Sequence, residues 1–107
     1  MKRGEIVEEM KRRLVEKFNP DAIILFGSSA RGDARENSNI DLLVLAPITG
    51  NHTDLWFAMY DSLGDLEVSK DLVLMTTEQY ERGKQYVGTI ARPASREGRV
   101  LYERKRP

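Results

Sequence analysis

Gly27-Ser28-Ser29-Ala30-Arg31-Gly32-Asp33-Ala34-Arg35-Glu36-Asn37-Ser38-Asn39-Ile40-Asp41 lies between two apolar segments, Ala22-Ile23-Ile24-Leu25-Phe26 and the run that starts at Ile40 and ends at Leu45. Both segments are short and apolar, the pattern of buried strands. The first stops abruptly at Gly27-Ser28, a small-residue turn that can expose backbone N–H groups. A helix beginning at Ser28 or Ser29 would offer its unpaired N–H groups and positive dipole end to a phosphate, and Ser28 adds a hydroxyl donor. Alternation along the second strand puts Asn39 and Asp41 on one face and Ile40 and Leu42 on the other. Two oxygen-bearing side chains a few residues beyond such a turn suit a divalent cation that also touches phosphate oxygens. Nucleotide chemistry is the class this implies.

Working outward, Ile6, Met10, Leu14 and Phe18 recur every four residues among charged neighbours, which predicts an amphipathic helix from about Gly4 to Phe18, ended by Asn19-Pro20. Pro47 to Asn51 reads as a loop. Leu55, Trp56, Met59, Tyr60 and Leu63 mark a second amphipathic helix, with Gly64 near its C-terminus. Val68-Ser69-Lys70-Asp71-Leu72-Val73-Leu74-Met75 places Asp71 at the head of another apolar strand. Thr76 with Gln79 fits a capping box that starts a further helix, whose far end Gly83, Gly88 and Pro93 leave open. Arg99 to Glu103 reads as a short edge strand and Arg104 to Pro107 as a tail. The expected fold is therefore α/β, of the α+β kind: residues 1–107 as a single domain, with a mixed sheet of about four strands flanked by helices.

The chain has 107 residues, 40% of them hydrophobic, enough for one modest core. Seventeen basic and 17 acidic residues cancel, so no overall field recommends nucleic acid or an anionic membrane as partner. The absence of cysteine excludes disulfides and thiolate chemistry. No apolar stretch approaches the roughly 20 residues of a membrane span. Met1-Lys2-Arg3-Gly4-Glu5 lacks the apolar core of a signal peptide, so the expected location is the cytoplasm.

Each candidate also has a plainer reading. Taken alone, Gly27-Ser28 is a tight turn with a serine cap, and Arg31 and Arg35 are solvated surface charges. Asp41 and Asp71 lie within or beside apolar runs, where an unpaired carboxylate is costly, and that favours function. His52, the only histidine, sits at a helix start and reads as a cap or surface residue. Trp56, Phe57, Met59 and Tyr60 read as core or interface.

Gly27-Ser28, a spacer of ten residues and then Asn39-Ile40-Asp41 resembles the signature of the minimal nucleotidyltransferases (MNT domains) of the polymerase-beta-like superfamily, Gly-Ser, ten residues, Asp-x-Asp. Asp71 stands where such domains carry a third carboxylate. The resemblance covers nearly the whole chain and departs at one position, Asn39. It implies a nucleotidyltransferase in which Asn39, Asp41 and Asp71 form the catalytic and Mg²⁺ site, a two-metal site impaired by Asn39, while Gly27, Ser28 and Arg31 bind the nucleotide. It further implies an antitoxin that transfers AMP from ATP to a tyrosine of a HEPN-domain ribonuclease toxin. The alternative is an inactive nucleotide-binding antitoxin that acts by occlusion, and transfer to a small-molecule hydroxyl ranks last. An asparagine at position 39 brings no negative charge and bridges cations poorly, so metal affinity should fall. Three origins stay open: an introduced change, a natural enzyme with weaker metal binding, or a natural pseudoenzyme.

Overall fold

In the computed structural model the described residues, 1–35 and 38–105, form five helices around a four-stranded mixed sheet. In chain order they are α1 (Arg3–Phe18), β1 (Ala22–Phe26), α2 (Ser28–Arg31), β2 (Ile40–Leu45), α3 (His52–Asp61), β3 (Lys70–Met75), α4 (Thr77–Gly83), α5 (Ala91–Glu97) and β4 (Arg99–Glu103). Strand order is β3-β2-β1-β4, with β2 and β3 parallel and the other pairs antiparallel. The α+β class and the four-strand sheet expected from the sequence are thus observed. No helix among the described residues is long and apolar enough to cross a membrane.

Alternation splits the strand residues between two unequal clusters. Ile23, Leu25, Ile40, Leu42, Val44, Leu72 and Leu74 pack with Val7, Met10 and Leu14 of α1 and Met59 of α3. Leu14, Ile23 and Met59 are fully enclosed there, and truncating any of them to alanine would cost about 2–5 kcal/mol. The other face is thinner: Ala22, Ile24, Leu43 and Leu45 meet only Tyr80, Ala91 and Ala94 of α4 and α5, with Phe26, Val73 and Met75 at the margin. By the same alternation Asp41 and Asp71 lie on this thinner face, where cover is slight enough to leave room for a ligand.

Local signals explain most boundaries. Asn19 ends α1 in the left-handed conformation, φ 47°, and its N–H donates to Val15 O. The capping box at Thr76 forms as expected: Gln79 N–H donates to Thr76 Oγ1 at 3.1 Å and Thr76 N–H to Gln79 Oε1 at 2.9 Å. Asn51, not His52, caps α3, accepting from the N–H groups of Thr53 and Asp54. The helix left open beyond Thr76 divides in two. α4 stops at Gly83 and α5 restarts at Ala91, with Pro93 in its first turn, where its missing N–H leaves no helical bond unmade.

The tail expected from Arg104 requires correction at its first residue. Arg104 N–H donates to Asp21 O at 2.8 Å, and the guanidinium pairs with Asp21 at 3.3 Å and bonds Asn19 O. Arg104 therefore fastens the end of β4 to the start of β1. Arg106 and Pro107, like Glu36 and Asn37 of the motif spacer, lie outside the described residues.

Candidate active site

β1 ends at Phe26, and Gly27 turns the chain with φ +72° into α2, a single helical turn. Ala30 and Arg31 N–H donate to Gly27 O, and Gly32 and Asp33 N–H to Ser28 O. The N–H groups of Ser28 and Ser29 are left without a backbone partner among the described residues. One helical turn has little macrodipole, so any anion affinity here comes from those N–H groups and the Ser28 hydroxyl rather than from a long-helix field.

Strand register brings the acidic residues to the same place. Asp41 is opposite Phe26 on β1 and beside Asp71 on β3. The parallel β2–β3 pairing points both carboxylates the same way, although 30 residues separate them. Gly27 closes the third side: a Cβ at that position would lie 2.3 Å from Asp41 Oδ2, so only glycine lets the turn approach the carboxylate. Phe26, Asp41, Asp71, Lys70, Val73 and Ile90 are among the residues that line a cavity of about 410 Å³ at this corner.

The electrostatics are those of a site short of positive charge. Burial raises the pKa of Asp41 above the usual aspartate value, and neighbouring Asp71 raises it further; Arg3 and then Arg31 pull it down. Among the described residues, no Lys or Arg side chain hydrogen-bonds or ion-pairs with Asp41 or Asp71. Asp71 instead accepts a hydrogen bond from Asn39 Nδ2 at 3.0 Å. The opposite amide orientation would set the Asn39 carbonyl against a carboxylate, so this assignment is the physically required one. No group of three His, Cys, Asp or Glu side chains suited to a metal occurs among the described residues. Two adjacent carboxylates lacking a basic partner, with a carboxamide able to turn its oxygen inward, still fit a hard divalent cation such as Mg²⁺.

All three expected metal-site residues, Asn39, Asp41 and Asp71, therefore come together, with Gly27 against them and Ser28 next in the chain. Arg31 is placed differently from the others. Its guanidinium lies 3.4 Å from Asp33 and 3.6 Å from Glu97, an exposed network on the outside of the turn. The arginine that touches the motif is Arg3, which the sequence reading missed. Its Nη2 donates to Ser29 Oγ at 2.7 Å and to Asn39 O at 2.9 Å. One signal was available: a cation at the first position of a helix opposes the macrodipole and asks for a compensating contact elsewhere.

The fold and the turn-plus-carboxylate corner are those expected of a nucleotidyltransferase family member, and comparison with known proteins shows the family. Residues 8–107 match the family described as Polymerase beta, Nucleotidyltransferase. A Methanocaldococcus jannaschii protein named as a candidate protein adenylyltransferase, MJ0128, is 37% identical over 71 residues, covering 65% of this chain and 71% of that protein. MJ1305 of the same organism, named likewise, is 51% identical over 45 residues, 40% of this chain. The matches span only 31% of MJ1305 and 46% of a further such relative, MJ1215. The chain belongs to the polymerase beta nucleotidyltransferase family.

Solved structures repeat the fold. A candidate nucleotidyltransferase from Sulfolobus solfataricus has a TM-score of 0.65 at 18% identity, over 94% of this chain and 79% of that one. A toxin–antitoxin structure with AMP-PNP reaches 0.63 at 24% identity, over 92% and 74%. A tri-AMPylated Shewanella oneidensis HEPN toxin in complex with MNT antitoxin reaches 0.58 at 20%, over 94% and 72%.

Proposed function

We propose that residues 1–107 act as one minimal nucleotidyltransferase domain, an antitoxin that transfers AMP from ATP to a tyrosine of a HEPN-type ribonuclease at a rate held down by Asn39. The observation that carries this reading is the placing of Asp41 and Asp71 side by side against the backbone of the Gly27–Ser28 turn. The names of the curated relatives support protein adenylylation, and the complex of an MNT antitoxin with a HEPN toxin among the structural neighbours supports the partner.

In this reading the N–H groups of Ser28 and Ser29 and the Ser28 hydroxyl hold β- and γ-phosphate oxygens. Arg31 adds positive charge from outside the turn. Asp41, Asp71 and the Asn39 carboxamide oxygen would hold Mg²⁺, which when bound would offset charge on phosphate oxygens and on the phenolate developing at the acceptor tyrosine. The tyrosine oxygen attacks the α-phosphorus, a P–O bond to tyrosine forms, and the bond to pyrophosphate breaks. Asp71 lies on the acceptor side and takes the hydroxyl proton. With the nucleophile supplied by a protein partner, the chain's main task is positioning.

One observation favours a second reading. The Asn39 Nδ2–Asp71 bond lets the site compensate a carboxylate with no cation present, which is compatible with an antitoxin that occludes without turnover. Incubating the chain with ATP, Mg²⁺ and a HEPN-domain ribonuclease, then measuring both protein masses, separates the two. Addition of one or more AMP units to the partner supports transfer, and loss of that addition in Asp71→Ala ties it to this site. Stable complex formation with unchanged masses, in the chain and in Asn39→Asp alike, would replace transfer with occlusion.

A further inference from the structure

We propose that Arg3 is a positioning residue of the candidate site, a clasp that holds the phosphate turn and the head of β2 together from α1. The inference rests on the nucleotide-site reading above. A single nitrogen, Nη2, reaches both ends of the motif: Ser29 Oγ at 2.7 Å, one residue into the turn, and the backbone carbonyl of Asn39 at 2.9 Å. Those acceptors are ten residues apart in sequence, and between them Arg31, Gly32, Asp33 and Arg35 are exposed. Hydrogen bonds from a charged donor are the stronger kind, so two from one guanidinium can fix a turn that meets the core through the partly buried Ala30.

The local chemistry directs Arg3 inward. Glu5 Oε1 accepts the Lys2 N–H at 3.0 Å and fixes the first turn of α1. As the first residue of that helix, Arg3 gains nothing from the macrodipole there. Toward the site its charge falls on Asp41, where its pull exceeds that of Arg31. Arg31 is committed to Asp33 and Glu97 and leaves the bracing to Arg3. Arg3 thus holds the Ser28–Ser29 N–H groups in register with Asp41 and offsets part of the negative charge a triphosphate would meet.

Amide hydrogen exchange on the full chain tests this with or without a nucleotide. In Arg3→Met the amides of Ala30, Arg31, Gly32 and Asp33 should exchange about tenfold faster, while those of Ile23 and Val44 change less than about twofold, because only local opening is made easier. Arg3→Lys, which keeps the charge and one donor group, should fall between, at about threefold, and decides the matter should Arg3→Met fail to fold. Calorimetry with MgATP should show about a tenfold loss of affinity in Arg3→Met, largely restored in Arg3→Lys. Arg12→Met, which removes the same charge from the outer side of α1, should leave both measurements unchanged. Unaltered exchange in the turn, or equal acceleration of turn and core amides, would overturn the clasp. A parent chain giving no heat with MgATP would instead overturn the nucleotide reading, while the exchange result still decides the role of Arg3.

Discussion

Asn39 is the residue on which the chemistry of this corner turns, because it does two opposed things. As a donor to Asp71 it relieves a carboxylate that already has Asp41 for a neighbour. As a would-be ligand it brings no charge. Asn39→Asp should therefore lower stability in EDTA by about 1–3 kcal/mol, since a hydrogen bond to a charged group becomes a like-charge contact. Added Mg²⁺ should more than restore the melting temperature and raise nucleotidyl transfer at least about tenfold. Equal melting temperatures of the two proteins in EDTA, or equal rates at saturating Mg²⁺, would sink this account of position 39. The motif residues were legible because their spacing is local and their types are unusual for strands. For Arg3 the helix-start position signals only that a contact is needed; which contact was not legible, because its partners lie 26 and 36 residues away and helical periodicity says nothing about what a first-turn side chain touches.

At the scale of elements, α3 does more than cover the sheet. Trp56 Nε1 donates to Leu72 O at 2.6 Å and His52 Nε2 bonds Leu74 O at 2.8 Å, so two side chains one helical turn apart occupy alternate carbonyls of the edge strand β3. Because a carbonyl only accepts, His52 must carry a proton on Nε2. These contacts blunt an edge that would otherwise be free to pair with another chain. Trp56 also stacks on Tyr60, centroids 4.9 Å apart, and that ring receives Lys70 at 5.5 Å. Trp56→Phe should cost about 1–2 kcal/mol in urea unfolding and increase self-association, whereas an unchanged midpoint with no new aggregate would show the edge to be guarded otherwise. The sequence marked Trp56 and Tyr60 as core or interface but gave His52 only a cap or surface role, since pairing to a strand edge leaves no local pattern. α5 was missed for a related reason. Between Gly83 and Glu97 the only buried anchors are two alanines, Ala91 and Ala94, too small to give a periodic signal.

Across the whole molecule, Arg13 links α1 to the connection between α3 and β3, donating to Glu9, to Ser62 O at 3.0 Å and to Asp65. Arg12 and Arg13 together hold the pKa of Glu9 down, from 4.5 to about 2, and Arg13 lowers that of Asp65. A depressed carboxylate stabilises the fold fully above its unfolded pKa and loses that contribution as pH falls through the folded value. Glu9→Gln should thus flatten the acid side of the stability curve between pH 4.5 and about 2, modestly because Arg12 is exposed and Glu9 and Arg13 are only half-buried, so solvent screens the pairs, and an unchanged curve would contradict the linkage. Asp41 acts with the opposite sign: its raised pKa means that its ionisation weakens the fold as pH rises. The described residues therefore carry an acid-labile ion-pair group on α1 and, at the candidate site, a carboxylate pair that Asn39 relieves on the Asp71 side only, with no Lys or Arg ion pair. Calorimetric titration of MgATP into the chain and into Gly27→Ala is the most direct test. The account predicts saturable binding to the former and none to the latter, whose added methyl would collide with Asp41 Oδ2. No heat from the parent chain at millimolar MgATP, or equal binding by both proteins, would contradict it.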